Sequence, residues 1–331
     1  MNVLVVGGTR FLGHELAWRL LAAGHEVTLF NRGTLPDALG DRVERLRGDR
    51  TTADFEGLLA GRSFDVGVDF AAYDGTDGRR AAEVLDGRVS HYVVISTGQV
   101  YLVREGCPRP ARECDYDGPL VPEPVEASDR GQWDYGVGKR ALEDALVRAW
   151  ETRRFPATRL RIPMVNGERD HFRRLERYLW RMLDGNPILL PDGGGRPTRH
   201  VYSGSVVKAI LSLLGRPATF GQAYNLAQEE TPTLRELLSL VAEHLGARAP
   251  LVDVPAQRIL AAGLDPLLIS PFSGHWMSFL DPARAKDEIG FHHEALRSYL
   301  DKIVTSFLAH PCADPPPGYE SRAIERTLAA G

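Results

Sequence analysis

Short apolar runs alternate with helical periodicity through the first half of the chain. Residues 3–6, 27–30, 66–70 and 92–95 are mostly apolar, and 158–162 carries Leu160 and Ile162 beside Arg159 and Arg161; all five are read as strands buried on both faces of a parallel sheet. Between the first two runs Leu12, Leu16 and Leu20 recur at every fourth position, with Ala17 and Leu21 beside them and Gly24 where a left-handed cap ends a helix. Residues 141–150 repeat the pattern through Leu142, Ala145, Leu146 and Ala149 and lead into the run at 158–162. Repeated β-α units force right-handed crossovers. The predicted class is α/β, a Rossmann-type doubly wound parallel sheet.

From 107 to 124 the chain turns polar and proline-rich (Pro108, Pro110, Pro119, Pro122, Pro124), which predicts a long surface loop after the fifth strand. After Pro163 the alternation weakens into helices near 171–184, 205–214, 233–245 and 294–309, separated by turns such as 192–197. This predicts a smaller, mostly helical C-terminal substrate lobe, with Tyr224-Asn225-Leu226 returning to the sheet as a strand. The expected division is 1–165 as the Rossmann-type sheet domain with 198–228 returning to it, 166–310 as the smaller lobe, and 311–331 as a tail. Pro315-Pro316-Pro317 begins that tail, which is expected to be poorly ordered and without function.

Length and composition narrow the function classes. With 331 residues there is room for about two domains, and 43% hydrophobic against 25% charged residues is a folded rather than a disordered profile. Forty Lys and Arg against 44 Asp and Glu give a net charge of −4, so there is no basic excess to neutralise a phosphate backbone, and no nucleic-acid partner is expected. The three cysteines, Cys107, Cys114 and Cys312, form neither a CxxC nor a cluster with histidine, so no disulfide framework and no metal site is expected. The N-terminus lacks a signal-like apolar region and no stretch reaches the ~18 apolar residues that span a bilayer. A cytoplasmic protein with no membrane partner is expected, and a homodimer is compatible with it.

Val6-Gly7-Gly8-Thr9-Arg10-Phe11-Leu12-Gly13 follows the first strand and opens the first helix. In that context glycines let the backbone approach a pyrophosphate, and the helix N-terminus supplies amide donors. Gly7, Thr9, Arg10, Phe11, Leu12 and Gly13 are therefore candidate cofactor contacts. The second strand ends in Phe30-Asn31-Arg32-Gly33, where an NAD-specific fold places an Asp or Glu on the ribose 2′-hydroxyl. Without that acid, Arg32, together with Arg10, can pair with a 2′-phosphate through a charge-assisted fork. NADP is the cofactor this favours; NAD, with the arginines merely solvated, is the alternative. Asp49, in Gly48-Asp49-Arg50, either accepts from the adenine amino group or serves a turn. Arg50, Ala71, Ala72 and Pro163 complete the expected cofactor shell.

Tyr135-Gly136-Val137-Gly138-Lys139 places a phenol and an ammonium at i and i+4 on one helix face. A nearby cation lowers a phenol pKa, as a general acid/base working on a hydroxyl or carbonyl requires. Ser96-Thr97-Gly98-Gln99-Val100-Tyr101 leaves the fifth strand at its C-terminal end, the edge where open α/β sheets hold ligands. A hydroxyl there can orient a substrate oxygen toward Tyr135.

With these motifs in this order, the chain resembles the extended short-chain dehydrogenase/reductase superfamily, in an atypical branch, and within it the NAD(P)-dependent epimerase/dehydratase family that mostly handles nucleotide sugars. Later stretches, Ala223-Tyr224-Asn225-Leu226, Thr233-Leu234-Arg235-Glu236-Leu237-Leu238 and Leu280-Asp281-Pro282-Ala283-Arg284-Ala285, resemble the family's returning strand and late helices. The resemblance implies Tyr135 as the catalytic tyrosine, Lys139 as the lysine that binds the nicotinamide ribose, and Thr97 as the catalytic hydroxyl, with Ser96 as fallback. Its departures carry information. Arg10 replaces the middle glycine of the usual fingerprint. Gly98 and Gln99 stand where 4,6-dehydratases carry an Asp-Glu pair, so elimination is not expected. Met164 falls where many epimerases have a substrate-contacting asparagine, Asn166 where a tyrosine is common, and Ser205, in place of an acid, is expected to cap a helix. Tyr73, Gln99, Met164, Asn166 and Arg199 are the expected substrate contacts, and Arg196 is an alternative to Arg199 for holding a diphosphate.

The function expected is an NAD(P)-dependent oxidoreductase or epimerase acting on a hydroxyl or carbonyl of a sugar-like, nucleotide-linked small molecule. Two alternatives stand beside it: an NADP-dependent reductase of a non-sugar ketone, and a non-catalytic RNA-binding or regulatory module, as some chloroplast proteins resembling the Gly-Gly-Thr-Arg-Phe branch are. The set Tyr135, Lys139 and Thr97 and the −4 charge favour the enzyme.

Overall fold

A computed structural model describes residues 1–331. In chain order the strands are β1 (Asn2–Val6), β2 (Glu26–Asn31), β3 (Glu44–Arg47), β4 (Phe64–Asp69), β5 (Val89–Thr97), β6 (Ala157–Ile162), β7 (Met164–Asn166), β8 (Ile188–Pro191), β9 (His200–Tyr202), β10 (Ala223–Asn225) and β11 (Leu251–Val254). The helices are α1 (Phe11–Ala22), α2 (Asp54–Leu59), α3 (Gly75–Leu85), α4 (Gln99–Leu102), α5 (Ala127–Arg153), α6 (Arg174–Leu183), α7 (Ser203–Leu213), α8 (Leu234–Leu245), α9 (Ala256–Ala261), α10 (Pro266–Ile269), α11 (Ala283–Ile289), α12 (Leu296–Ala309) and α13 (Arg322–Ala330). No helix is long and apolar enough to cross a membrane.

The chain divides into two compact units, Met1–Pro163 with Ser203–Ala227 and Ser278–His293, and Met164–Tyr202 with Gln228–Met277 and Glu294–Gly331. In the first, seven strands form one sheet in the order β10-β6-β5-β4-β1-β2-β3, every pairing parallel. The strand order reverses between β1 and β4, the switch point at which a doubly wound sheet opens a crevice at its strands' C-terminal ends. Leu4 and Val6 of β1 pack with Ala81, Leu142 and Leu146 of α3 and α5, while Val3 and Val5 are equally buried on the opposite face. Burial on both faces is why these strands read as continuous apolar runs.

The second unit holds two two-stranded parallel pairs, β7 with β9 and β8 with β11, around a core of α6, α8 and α12 residues such as Leu179, Leu238 and Ile303. Three expectations are corrected. The return to the first unit takes in 278–293 as well as 203–227, because a short helix and a loop carry too little periodicity to show their side. Ser205 is a buried residue inside α7, not its cap. The tail is ordered: α13 docks in the second unit through the ion pairs Arg181–Glu325 (2.5 Å) and Arg322–Asp184 (2.6 Å), with Arg322 and Glu325 also paired to each other along the helix (3.0 Å).

Candidate active site

The loop between β1 and α1 is built for close approach. Gly7 takes φ 86°, in the left-handed region that favours glycine, and its amide donates to the Phe30 carbonyl (3.0 Å). A Cβ on Gly13 would stand 2.7 Å from the Gly7 carbonyl oxygen, so only glycine lets α1 begin against the loop. Arg10 precedes α1 in extended backbone, and no side chain caps the helix. Thr9 is half-buried, Arg10 exposed, and Leu12 faces the core.

At the end of β2, the Asn31 Oδ1 accepts from the Gly33 amide (2.9 Å), while its Nδ2 is buried with no partner. Arg32 beside it is exposed. The Asp49 carboxylate accepts from the Thr51 amide (2.9 Å) and hydroxyl (2.7 Å). Those bonds hold its pKa below the usual carboxylate range, with a smaller contribution from the Arg32 cation. Arg50 departs from expectation. It is 6% exposed, paired with Asp69 and Asp77 (both 3.1 Å) and bonded to the Ala71 carbonyl (3.1 Å). Burial works against its charge and these acids restore it. It braces the ends of β3 and β4 from inside, because a guanidinium this far from solvent needs both acids.

The strand ends converge on α5. Tyr135 is hydrogen-bonded to the Thr97 hydroxyl, and burial pushes the phenol up to about 12 against the pull of that bond. Lys139, 3% exposed, donates from Nζ to the carbonyls of Ala72 (2.6 Å) and Ile95 (2.9 Å). Burial brings it down to about 8 although Asp69 and Glu143 favour its charge. The ammonium sits 5.0 Å from the ring centre of Tyr73 and 5.9 Å from that of Tyr135. The expected lowering of the tyrosine pKa is thus absent in the free protein, because the ammonium is turned onto strand-end carbonyls rather than onto the phenol oxygen. Tyr73 is 56% exposed. Pro163 follows β6, whose last residue Ile162 accepts from the Gly98 amide (2.8 Å).

Ser96 faces away from this group. It donates to Glu143 (2.5 Å), and Glu143 is gripped by Arg161 through Nε (3.0 Å) and Nη2 (2.6 Å). Arg161 also donates to the Tyr101 hydroxyl (2.6 Å), which donates to Asn225 (3.0 Å). Burial alone would raise the Glu143 carboxyl, and Arg161 and Arg159 more than offset it. Sequence reasoning missed Glu143, although it continues the i, i+4 spacing from Tyr135 through Lys139. Gly98 has no room for a side chain: a Cβ there would lie 2.2 Å from the Ser278 hydroxyl. Gln99 is buried beside Thr97. Met164 and Asn166 lie on β7 in the second unit; Arg199, in the same unit just before β9, bonds to Thr231 Oγ1 (2.7 Å) and the Glu229 carbonyl (3.1 Å).

This donor set fits a dinucleotide. The glycine cradle and uncapped α1 suit a pyrophosphate, the unpaired Asn31 amide and exposed Arg32 suit the adenosine ribose, and Lys139 with Tyr135 suits the nicotinamide ribose. Across residues 3–227 the sequence matches the model of the NAD dependent epimerase/dehydratase family. The chain belongs to that family. Among its relatives, the chloroplast stem-loop binding protein of 41 kDa b of Arabidopsis thaliana is 26% identical over 75% of this chain and 64% of its own length. The chain therefore spans less than two thirds of that relative. The 2′-dehydrokanamycin reductase of Streptomyces kanamyceticus is 27% identical over 78% of this chain and 70% of its own. Among solved structures, UDP-glucose 4-epimerase of Thermotoga maritima, with UDP-glucose, superimposes with a TM-score of 0.74 at 20% identity, covering 93% of this chain and 99% of that one. The dTDP-glucose 4,6-dehydratase of Bacillus anthracis, in complex with NAD, gives 0.74 at 17% identity over 94% and 97%.

Proposed function

We propose that the protein is an NADP-dependent oxidoreductase acting on a hydroxyl or carbonyl carbon of a hydroxylated, sugar-like, nucleotide-linked substrate, by carbonyl reduction or C4-type epimerisation. The observation that carries the reading is the Thr97–Tyr135 hydrogen bond beside buried Lys139 at the C-terminal edge of the sheet. Asn31 and Arg32 in place of a ribose-binding acid support NADP over NAD. A bound nicotinamide supplies hydride to a carbonyl carbon, or takes it from a carbinol carbon, at its C4.

The chain's residues handle the proton. With its pKa raised to about 12, Tyr135 is a protonated phenol at neutral pH, poised to give its proton to a carbonyl oxygen held by Thr97. Two of the relatives are named reductases, 2′-dehydrokanamycin reductase and the 2-alkyl-3-oxoalkanoate reductase of Stenotrophomonas maltophilia, which supports the reductive direction. Elimination needs a base and an acid near the substrate. Gly98, with Ser278 filling the space beside it, and the amide of Gln99 supply neither.

The test is incubation with NADP(H) and a panel of UDP-, dTDP- and GDP-linked hexoses and their keto forms, followed by mass spectrometry. Products of unchanged mass or two hydrogens heavier are expected; a product lighter by one water contradicts the reading. A filter-binding assay with random RNA addresses the activity in the Arabidopsis relative's name, and no retention is expected at a net charge of −4.

A further inference from the structure

We propose that Arg50, Asp69 and Asp77 form a positioning network for Lys139, fixing the turn on which its ammonium rests and setting the balance of charge around it. The consequence for cofactor binding rests on the redox reading above, whereas the network itself stands on the geometry of the first unit.

Residues 71–73 lie between β4 and α3, and three buried side chains hold them. Asp69, the last residue of β4 and 0% exposed, accepts from the Ala71 amide through Oδ1 (2.7 Å) and from the Tyr92 hydroxyl through Oδ2 (2.8 Å). Arg50 donates to the Ala71 carbonyl while bridging the Asp69 and Asp77 carboxylates. Asp77, in the first turn of α3, accepts from the Tyr73 amide (2.7 Å). Between these anchored residues stands the Ala72 carbonyl, to which Lys139 Nζ donates. Gly138, the neighbour of Lys139 on α5, comes so close that a Cβ there would stand 3.2 Å from the Tyr73 carbonyl. Turn and helix therefore meet at the lysine, and any shift of the turn moves the ammonium's acceptor.

The charges are arranged to the same end. One guanidinium meets two acids, so Arg50 does not fully cancel them, and the remaining negative charge lies where a second buried cation, Lys139, needs it. Burial is the largest influence on Lys139 and disfavours its charge; Asp69, Glu143 and Asp77 favour that charge, and Arg50 opposes it. Glu143 is already matched by Arg161 (2.6 Å), which leaves Asp69 and Asp77 as the acids free to act on the lysine. The phenols of Tyr73 and Tyr135 face the same ammonium and are neutral. Arg50, Asp69 and Asp77 are thus positioning residues, acting on the cofactor site through the turn and through Lys139 rather than by contact.

The experiment is urea unfolding of the full chain at successive pH values, from about 6 to about 10.5, for the wild type, Asp69→Asn and Arg50→Gln, each with and without Lys139→Met, so that the difference within each pair isolates the lysine. In the wild type that difference should begin to change near pH 8, because above the folded pKa only the unfolded chain holds the proton. The onset should move down by about half a pH unit or more in Asp69→Asn and up by about as much in Arg50→Gln. Lost packing alone lowers stability at every pH and moves neither onset. Asp77→Asn, nearer the surface, should shift the onset in the direction of Asp69→Asn and replaces that variant if it does not fold. NADP affinity, read by calorimetry, should fall about threefold or more in Asp69→Asn as well as in Arg50→Gln, whereas a direct contact of Arg50 with the cofactor would affect Arg50→Gln alone. Onsets that stay at the wild-type value, onsets that move the same way in the acid and arginine variants, or affinity lost only in Arg50→Gln overturns the inference and leaves the redox reading standing. A wild type that binds no NADP overturns the redox reading, and the melts then decide the network by themselves.

Discussion

Tyr135 and Lys139 share a helix face, and burial drives their protonation equilibria toward the neutral form of each. Loss of the Tyr135 hydroxyl should remove only proton transfer. Tyr135→Phe is therefore expected to lower turnover by about 10²- to 10⁴-fold while NADP affinity stays within about twofold, read by steady-state kinetics and calorimetry. Wild-type turnover in this variant would reduce Tyr135 to a packing residue. The lysine makes a separate, substrate-free prediction. Its folded pKa of about 8 lies below its ordinary value near 10.4, so between those limits the unfolded chain binds the extra proton. Stability then rises with pH across pH 8 to 10, by at most about 1.4 kcal/mol per unit. Lys139→Met should lack this rise in urea melts taken at successive pH values. The i, i+4 pairing was legible in the sequence. The ammonium's partners were not, because Ala72 and Ile95 offer backbone carbonyls whose positions depend on the whole sheet.

At the scale of elements, α5 is tied to the sheet by Glu143, which holds Ser96 of β5 and Arg161 of β6 while Tyr135 and Lys139 project from the same helix. Glu143→Gln leaves the Arg161 cation buried without its acid. Removing one partner of such a pair costs about 3–5 kcal/mol, and equilibrium urea unfolding should show a loss of that order. A loss under about 1 kcal/mol would mean that Arg161 finds water. The apolar strands were legible because burial on both faces writes them as unbroken runs. The first two turns of α5 were not: residues 127–134 are polar around Gly131, with no stripe to betray a helix that is exposed there. Strands β7, β8, β9 and β11, of three or four residues each, are too short to show a period. The docked tail was hidden for a related reason, since α13 is only nine residues long and is held by ion pairs of Glu325 with Arg181 and of Arg322 with Asp184 together with two apolar residues, Leu328 and Ala329, too few to mark a stripe.

For the whole molecule, the first unit's strand order places a glycine cradle, the unpaired Asn31 amide, Arg32, Thr97, Tyr135 and Lys139 at one end of a single parallel sheet. The order of these motifs along the chain was enough to read this sheet and its family. The division into units was legible only in part, because 278–293 rejoins the first unit through backbone pairing, as between Ala111 and Leu280, that no local pattern announces. Arg32→Ala is expected to weaken NADP about tenfold or more and NAD little, since the NADP reading pairs that charge with the 2′-phosphate that NAD lacks. The most direct test of the central claim, that this unit is an NADP-dependent redox domain, is calorimetric titration of the full chain with NADP and with NAD, alongside Gly13→Val. The account predicts one site per chain that binds NADP at least about tenfold more tightly than NAD and is abolished in Gly13→Val, where the new side chain meets the Gly7 carbonyl. Equal or tighter binding of NAD, or no binding of either dinucleotide by the wild type, would contradict it.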